Sequence, residues 1–327
     1  MRPAKERCQG PHMRFSVIIP AYNAREVLER TVRSALSQTY HDFEVVISDD
    51  GSPDDTLDVA NALAKTDTRI RVVTGLNGGC SVARNRGVEV ASGQFCVLLD
   101  ADDMLKPDYL ATMSAFIDRC PGYDIYSCNG DRLMAEGRTE PFLGGDGYDR
   151  ETSWTLDDII PVDRIFIMAV IRRETHARLG GFRDDLRYAE DYDFWLRALA
   201  LGARHRFIPQ RLGIYVESAG SKSKNRIPHA QAQIRIFESL MAMPELTDTQ
   251  RALCVRKLDG LRTRIRRVEL ETRLVDGDYR GARAEYLRVG DAYLDKRKYA
   301  AGLAAMMLSP RLYARLFAAR ASKRAAS

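Results

Sequence analysis

The chain has no apolar run approaching the roughly 18 residues that a bilayer-spanning helix needs. Its opening residues are basic and polar, without the hydrophobic stretch of a secretory signal. These absences predict a cytoplasmic protein in which residues 1–13 form a disordered tail ahead of the folded chain. The six cysteines (Cys8, Cys80, Cys96, Cys120, Cys128 and Cys254) include no C-x-x-C pair, so neither a zinc site nor a disulfide framework is expected. Cys96 lies in an apolar segment and reads as a buried free thiol in a reducing compartment. No G-x-G-x-x-G follows the first apolar segment, which disfavours a nicotinamide or flavin cofactor. No G-x-x-x-x-G-K-[ST] occurs either, which argues against a P-loop. One-sided charge is also missing: 50 Lys and Arg against 45 Asp and Glu leave +5, too little to indicate nucleic acid without a local patch.

What is present is alternation. At 327 residues the chain is long for one core, and two domains are expected, residues 14–226 and a helical region over 227–327. Phe15 to Pro20 reads as a buried strand, and Asn23 is placed to cap a helix in which Val27, Leu28, Val32, Ala35 and Leu36 recur at helical spacing. Phe43 to Ser48 is a second strand ending in Asp49-Asp50-Gly51-Ser52, with a helix started by Ser52 or Asp54. A third strand near Ile70 to Val73 leads through Gly75-Leu76-Asn77-Gly78-Gly79 into a helix holding Ala83-Arg84-Asn85-Arg86-Gly87. Strand and helix alternating in this way predict an α/β fold with a Rossmann-like, mostly parallel, doubly wound central sheet and flanking helices.

The fourth strand stops abruptly: Val97-Leu98-Leu99 gives way to Asp100-Ala101-Asp102-Asp103. Unpaired carboxylates are too costly to bury, so the strand must end where they begin. Ligands of open α/β sheets bind outside the carboxyl ends of the strands. If extended geometry persists through Ala101, Asp100 and Asp102 share a face and suit Mg2+ or Mn2+ carrying phosphate oxygens. The plain alternative is a polar strand exit with Asp103 as a cap. Asp50 could accept from a base or ribose, or simply form an Asp-Gly turn. Arg84, at a helix start behind a glycine-rich loop, could meet a phosphate or lie exposed.

Taken together, Ser16-Val-Ile-Ile-Pro-Ala-Tyr-Asn23, Val46-Ile-Ser-Asp-Asp-Gly-Ser52, Ala83-Arg-Asn85 with Gly87, and Leu99-Asp-Ala-Asp-Asp103 resemble the family 2 glycosyltransferases of GT-A fold over about Phe15 to Val216. The resemblance implies inverting transfer of a hexosyl or N-acetylhexosaminyl group from a nucleotide-diphosphate donor, usually a UDP-sugar, with Mn2+ or Mg2+. It implies that Pro20, Tyr22 and Asp50 line the nucleoside, with Asp50 facing the base, and that Arg84 lies near the base or diphosphate. Asn77 and Ala101 join this donor set. Asp100 is implied near the ribose and the metal, and Asp102 as the chief metal ligand.

The second half is expected to supply the acceptor side. Tyr123 to Asn129 and Ile165 to Ile171 read as strands, Arg172 to Leu179 as a helix, and Pro141 to Arg150 as a mobile loop or a plain connector. Tyr126 and Cys128 are read as core residues. Glu190-Asp191 opens an amphipathic helix through Phe194, Trp195, Leu196, Leu199 and Leu201. Acids at a helix N-terminus are ordinarily stabilised by its dipole. Here the resemblance implies that one of them removes the acceptor proton, Asp191 first and Glu190 second. Trp195 could stack on a sugar, although its place in the helix favours packing.

One departure from the family is visible. Val216 stands where many relatives carry an arginine, and no histidine follows shortly; the nearest, His205 and His229, are expected to face solvent. The Ser218 to Asn225 stretch could be a lid over the diphosphate or a linker. Beyond it, Leu253, Val255, Leu258, Leu261 and Ile265 mark a basic helix, and the stretches Gly277 to Ala284 and Arg297 to Ala304 resemble each other weakly. The basic segment beyond Asp295 could lie on an anionic membrane at the inner face or pack against the catalytic domain. The partners expected are therefore a nucleotide sugar, a glycan or lipid-linked glycan acceptor and peripheral membrane, and no nucleic acid. The competing function class is a non-catalytic sugar-nucleotide-binding scaffold working through its helical tail.

Overall fold

The computed structural model describes residues 13–145, 147–217, 225–289 and 309. Most of the expected N-terminal tail, the Ser218 to Asn225 stretch apart from Asn225, the Arg297 to Ala304 stretch and the basic segment beyond Asp295 lie outside the described residues. By internal contacts the chain divides into two compact units, with boundaries at 221/222, 242/243 and 250/251.

The first unit begins with the alternation read from the sequence: β1 (Phe15–Ala21), α1 (Leu28–Leu36), β2 (Phe43–Asp49), α2 (Thr56–Ala64), β3 (Ile70–Thr74), α3 (Cys80–Val90) and β4 (Phe95–Leu98). β1 and β2 are buried at every residue, as parallel strands covered on both faces must be. After β4 come β5 (Met104–Leu105), α4 (Tyr109–Arg119), β6 (Ile125–Leu133), β7 (Thr139–Pro141), α5 (Leu156–Ile159), β8 (Val170–Arg172), α6 (Arg173–Arg178), α7 (Glu190–Ala200) and β9 (His205–Val216). The sheet runs β3-β2-β1-β4-β8-β6-β9-β5, with β7 on β6. The fold is GT-A-like, and its first four strands are parallel. The second half is mixed: β8 runs against both β4 and β6, while β9 runs with β6. Successive antiparallel pairings return β6 and β9 to the direction of β4, so six strands end at one edge. The chain reverses its order between β1 and β4, which opens the crevice where such sheets bind ligands.

Several local expectations are corrected. Asn23 does not cap α1: it has φ 51°, its N–H donates to Ser52 Oγ, and α1 starts only at Leu28. The Ile165 to Ile171 strand shrinks to Val170–Arg172. Ile165 to Ala169 are buried outside any strand, although the Ala169 carbonyl accepts Leu98 N–H of β4 at 3.2 Å, because an apolar run reports burial and not ladder pairing. The Pro141 to Arg150 segment is pinned at its start, where Pro141 pairs in β7 and Phe142 N–H donates to the Gly130 carbonyl. Tyr126, Cys128 and Trp195 are core residues. His205 is buried, against the expectation that it faces solvent. Its Nδ1 accepts from Trp154 N–H at 3.1 Å, which leaves Nε2 to donate to Ser127 Oγ at 2.7 Å. Burial lowers its pKa to about 3, so the ring stays neutral.

The second unit contains α8 (Arg226–Met241), most of α9 (Asp248–Val275) and α10 (Tyr279–Val289). Within it, Arg262 pairs with Glu238 at 3.2 Å and Arg226 with Glu271 at 3.7 Å. The buried stripe of α9 carries Cys254, Leu258 and Leu261, whereas Val255, expected on that stripe, is exposed. No helix among the described residues is long and apolar enough to cross a membrane.

Candidate active site

The residues singled out at the strand ends do gather around the crevice, but several of them hold one another. In the acidic turn after β4, Asp103 N–H donates to the Asp100 carbonyl at 3.1 Å. Extended geometry therefore does not persist through Ala101, and the relation of Asp100 to Asp102 is set by this turn. α1 grips the turn from one side: the Thr31 hydroxyl lies 2.7 Å from the Ala101 carbonyl and 2.8 Å from that of Asp103, and Arg30 donates to the Asp102 carbonyl at 2.7 Å. Asp103 is not a cap. It is buried, with Oδ1 accepting Val216 N–H of β9 at 2.9 Å and Oδ2 without a partner. Burial, then Asp100 and Asp102, push its pKa well above the carboxylate range.

Arg84 is not the exposed helical arginine that its position in α3 allowed. Only 2% of its side chain is exposed; Nη2 donates to Asp100 Oδ1 at 2.6 Å and Nη1 to Glu190 Oε1 at 2.8 Å. Its guanidinium lies 5.6 Å from the Phe182 ring centroid. Burial alone would lower its pKa, but Asp100, Cys80, Glu190 and Asp191 hold it well above the ordinary value. A planar cation with forked donors can serve two carboxylates at once.

α7 brings the acids Glu190 and Asp191. Its N-cap is Ala189 in the left-handed region, φ 56°, and no side chain caps it. Asp191 Oδ1 accepts the N–H of Tyr192 at 2.8 Å. Burial and the charge of Glu190 raise the Asp191 pKa to about 6, opposed by Arg84. The turn before α7 is held by Asn85 of α3, which accepts Phe182 N–H at 2.8 Å and donates to its carbonyl at 2.7 Å. His176 Nε2 lies 3.0 Å from the same Asn85 oxygen. Asn85 and His176 were not assigned roles from sequence; Asn85 next to Arg84 was the only available signal.

At the end of β2, the Asp-Gly turn chemistry belongs to Asp49. It accepts Gly51 and Ser52 N–H at 3.2 and 3.3 Å and the Thr74 hydroxyl at 2.8 Å. That leaves Asp50, also buried, to accept Gly79 N–H at 2.7 Å and Gly78 N–H at 3.1 Å. Asp50 thus orders the glycine-rich loop from which Asn77 is exposed, while Pro20 is buried in β1 and Tyr22 is 48% exposed at its end.

Asp100 and Asp102 offer hard oxygen donors that fit a divalent cation shared with phosphate. Asp100 spends one oxygen on Arg84 and retains the other. Among the described residues no three acids, histidines or cysteines gather as a ready-made metal cage, so remaining ligands would come from a donor and water.

A family model described as Glycosyl transferase family 2 matches residues 16–179. The chain is 31% identical over 224 residues to an uncharacterized glycosyltransferase, EpsJ, of Bacillus subtilis (strain 168), covering 66% of this chain and 64% of that protein. It is 34% identical over 193 residues to the hyaluronan synthase of Pasteurella multocida, covering 57% of this chain and 19% of that one. The chain thus spans less than two thirds of the length of these relatives. The crystal structure of S. aureus TarS 1-349 in complex with UDP-GlcNAc superimposes with a TM-score of 0.65 at 19% identity, covering 93% of this chain and 90% of that chain.

Proposed function

We propose, from the premise that this chain belongs to glycosyl transferase family 2, that it moves a hexosyl or N-acetylhexosaminyl group from a UDP-sugar to a hydroxyl of a glycan or glycolipid acceptor with inversion. Assembly of a polysaccharide is the setting that a relative's name supports. The carrying observation is the Arg84 bridge, which ties Asp100 of the acidic turn to Glu190 at the head of α7.

Residues 14–226 would then be the catalytic domain and 227–327 a separate C-terminal region. Tyr22 and Asn77 would line the nucleoside, with Asp50 holding the loop against it. Asp102 and the free oxygen of Asp100 would hold Mn2+ or Mg2+, which when bound supplies charge stabilisation for the departing diphosphate. Asp191 is the general base. With a pKa of about 6 it is mostly ionised at pH 7 and still basic enough to take a hydroxyl proton. Glu190, held by Arg84, raises the pKa of its neighbour Asp191. Attack by the deprotonating hydroxyl opposite the diphosphate inverts the anomeric carbon in one displacement.

The test is a thermal-shift screen of UDP- and GDP-sugars with and without Mn2+, paired with release of nucleoside diphosphate. A metal-dependent rise in Tm with one donor class and turnover that falls sharply in Asp191→Asn are expected. Turnover unchanged in both Asp102→Ala and Asp191→Asn would sink the mechanism.

A further inference from the structure

On the far side of β4 from β1 and β2, the paired strands β6 and β9 carry a feature that the donor site does not use. Gly130 and Gly213 stand directly opposite each other. A Cβ at Gly130 would come within 2.5 Å of the Phe166 ring, and one at Gly213 within 2.9 Å. The glycine pair thus leaves a bare window in the sheet, which Phe166 fills together with the Met168 side chain, both buried. One pleat further on, Arg132 stands opposite Tyr215. Phe142 lies over both: its ring centroid is 4.5 Å from that of Phe166 and 5.1 Å from that of Tyr215, with the Arg132 guanidinium 5.3 Å from its centroid.

The placement is what makes this stack chemically suggestive. Arg132 and Tyr215 are each one residue from the carboxyl end of their strand, at the edge where β1, β2 and β4 also end. Tyr215 is locked to the acidic turn on both sides: Ile214 pairs with Met104, and Val216 N–H donates to Asp103. Phe142 and Tyr215 are half-buried, whereas Phe166 is buried beneath Phe142. A pyranose presents an apolar face of C–H groups and a rim of hydroxyls. The two rings, tilted 58° to each other, and the guanidinium of Arg132, 3.9 Å from Glu140, offer a concave aromatic face and a polar rim to such a ring.

We propose that Phe142, Tyr215 and Arg132 form the platform on which a pyranose ring of the acceptor lies, with Arg132 meeting a hydroxyl or carboxylate on its rim; this rests on the transfer reading above. The donor residues stand at the ends of β1, β2 and β4, which leaves the β6–β9 end to the acceptor. The competing role for the same rings is to anchor the segment that follows β7.

Saturation-transfer NMR on the full chain with UDP and Mn2+ separates the two, using methyl β-D-glucopyranoside and methyl β-D-glucuronide as probes. Irradiation of aromatic protons should reach the sugar C–H protons. Phe142→Leu and Tyr215→Leu, which keep apolar bulk, should cut that transfer about five- to tenfold with Tm unchanged. Tyr215→Phe should retain it, and Arg132→Ala should weaken the glucuronide more than the glucoside. No transfer in the wild type, or full transfer in both leucine variants, overturns the platform. Absence of nucleoside-diphosphate release from any UDP-sugar would overturn the transfer reading instead, and the saturation result would still decide for or against the platform.

Discussion

Arg84 and Glu190 are 106 residues apart in the chain, yet Nη1 of the first lies 2.8 Å from Oε1 of the second. With Asp100 on its other nitrogen at 2.6 Å, one buried cation holds the end of β4 and the start of α7 in register.

Removing that cation leaves two carboxylates facing each other in a poorly solvated site. Arg84→Ala is expected to destabilise the protein by roughly 3 kcal/mol, as loss of one partner of a buried pair does, measured by urea unfolding. Arg84→Lys, a point charge that cannot fork, should recover only part of this. An Arg84→Ala protein as stable as wild type would show that the bridge carries no structural load.

The raised pKa of Asp191 makes a pH prediction. A base must be ionised, so kcat should fall as pH drops through about 6. Glu190 raises that pKa, so Glu190→Gln should move the acid limb to lower pH. Asp191→Asn should cut kcat by about 10²–10⁴.

The same shift has a stability consequence of opposite sense. Asp191 binds its proton more tightly folded, at about 6, than at its ordinary 3.8. Its contribution is present below the lower value and lost as pH rises through the higher. Asp191→Asn should therefore be more stable than wild type at pH 8, by on the order of 2 kcal/mol, in parallel thermal melts. A variant less stable there would contradict the assigned burial.

Asp102 is tested through the donor. Addition of UDP with Mn2+ should raise Tm, and EDTA should abolish that rise. Asp102→Asn should lose the Mn2+-dependent part while keeping the melting temperature of the unliganded protein. An equal UDP shift in the variant would place the metal elsewhere.

Gly87 on α3 reports how tightly the parallel half of the sheet is packed. A Cβ there would come within 2.6 Å of Ile18 Cγ2 in β1. Gly87→Ala should cost about 1–3 kcal/mol through overpacking, visible as a lower urea midpoint with an unchanged m-value.

Burial runs and helical spacing were sufficient to read β1, β2 and β4, because an all-apolar strand between helical segments has few other places to go. The mixed half was less legible. Ile165 to Ala169 are as apolar as a strand but bend through the core, and the two-residue β5 carries no periodicity at all. The site shows the same contrast. Asp50, Asp100, Asp102 and Asp191 could be named as acids at strand ends or a helix start, since unpaired charge cannot sit within an apolar strand. Which of two adjacent acids makes the Asp-Gly turn could not be: Asp49 takes it, and only the position of Gly78 and Gly79 frees Asp50 for the loop.

Read alone, the residue order determined that four strand–helix units would build a parallel half-sheet and that acids would cluster at its carboxyl edge. Local propensity and the cost of burying charge act within a few residues, so they are visible in the order itself. Tertiary structure decided what Arg84 does. Its partners come from β4 and α7, its charge is held by their combined field, and neither distance nor field is encoded at position 84. It also decided that Gly130 and Gly213 face each other across two strands and leave room for Phe166, because strand register is settled only when the sheet closes.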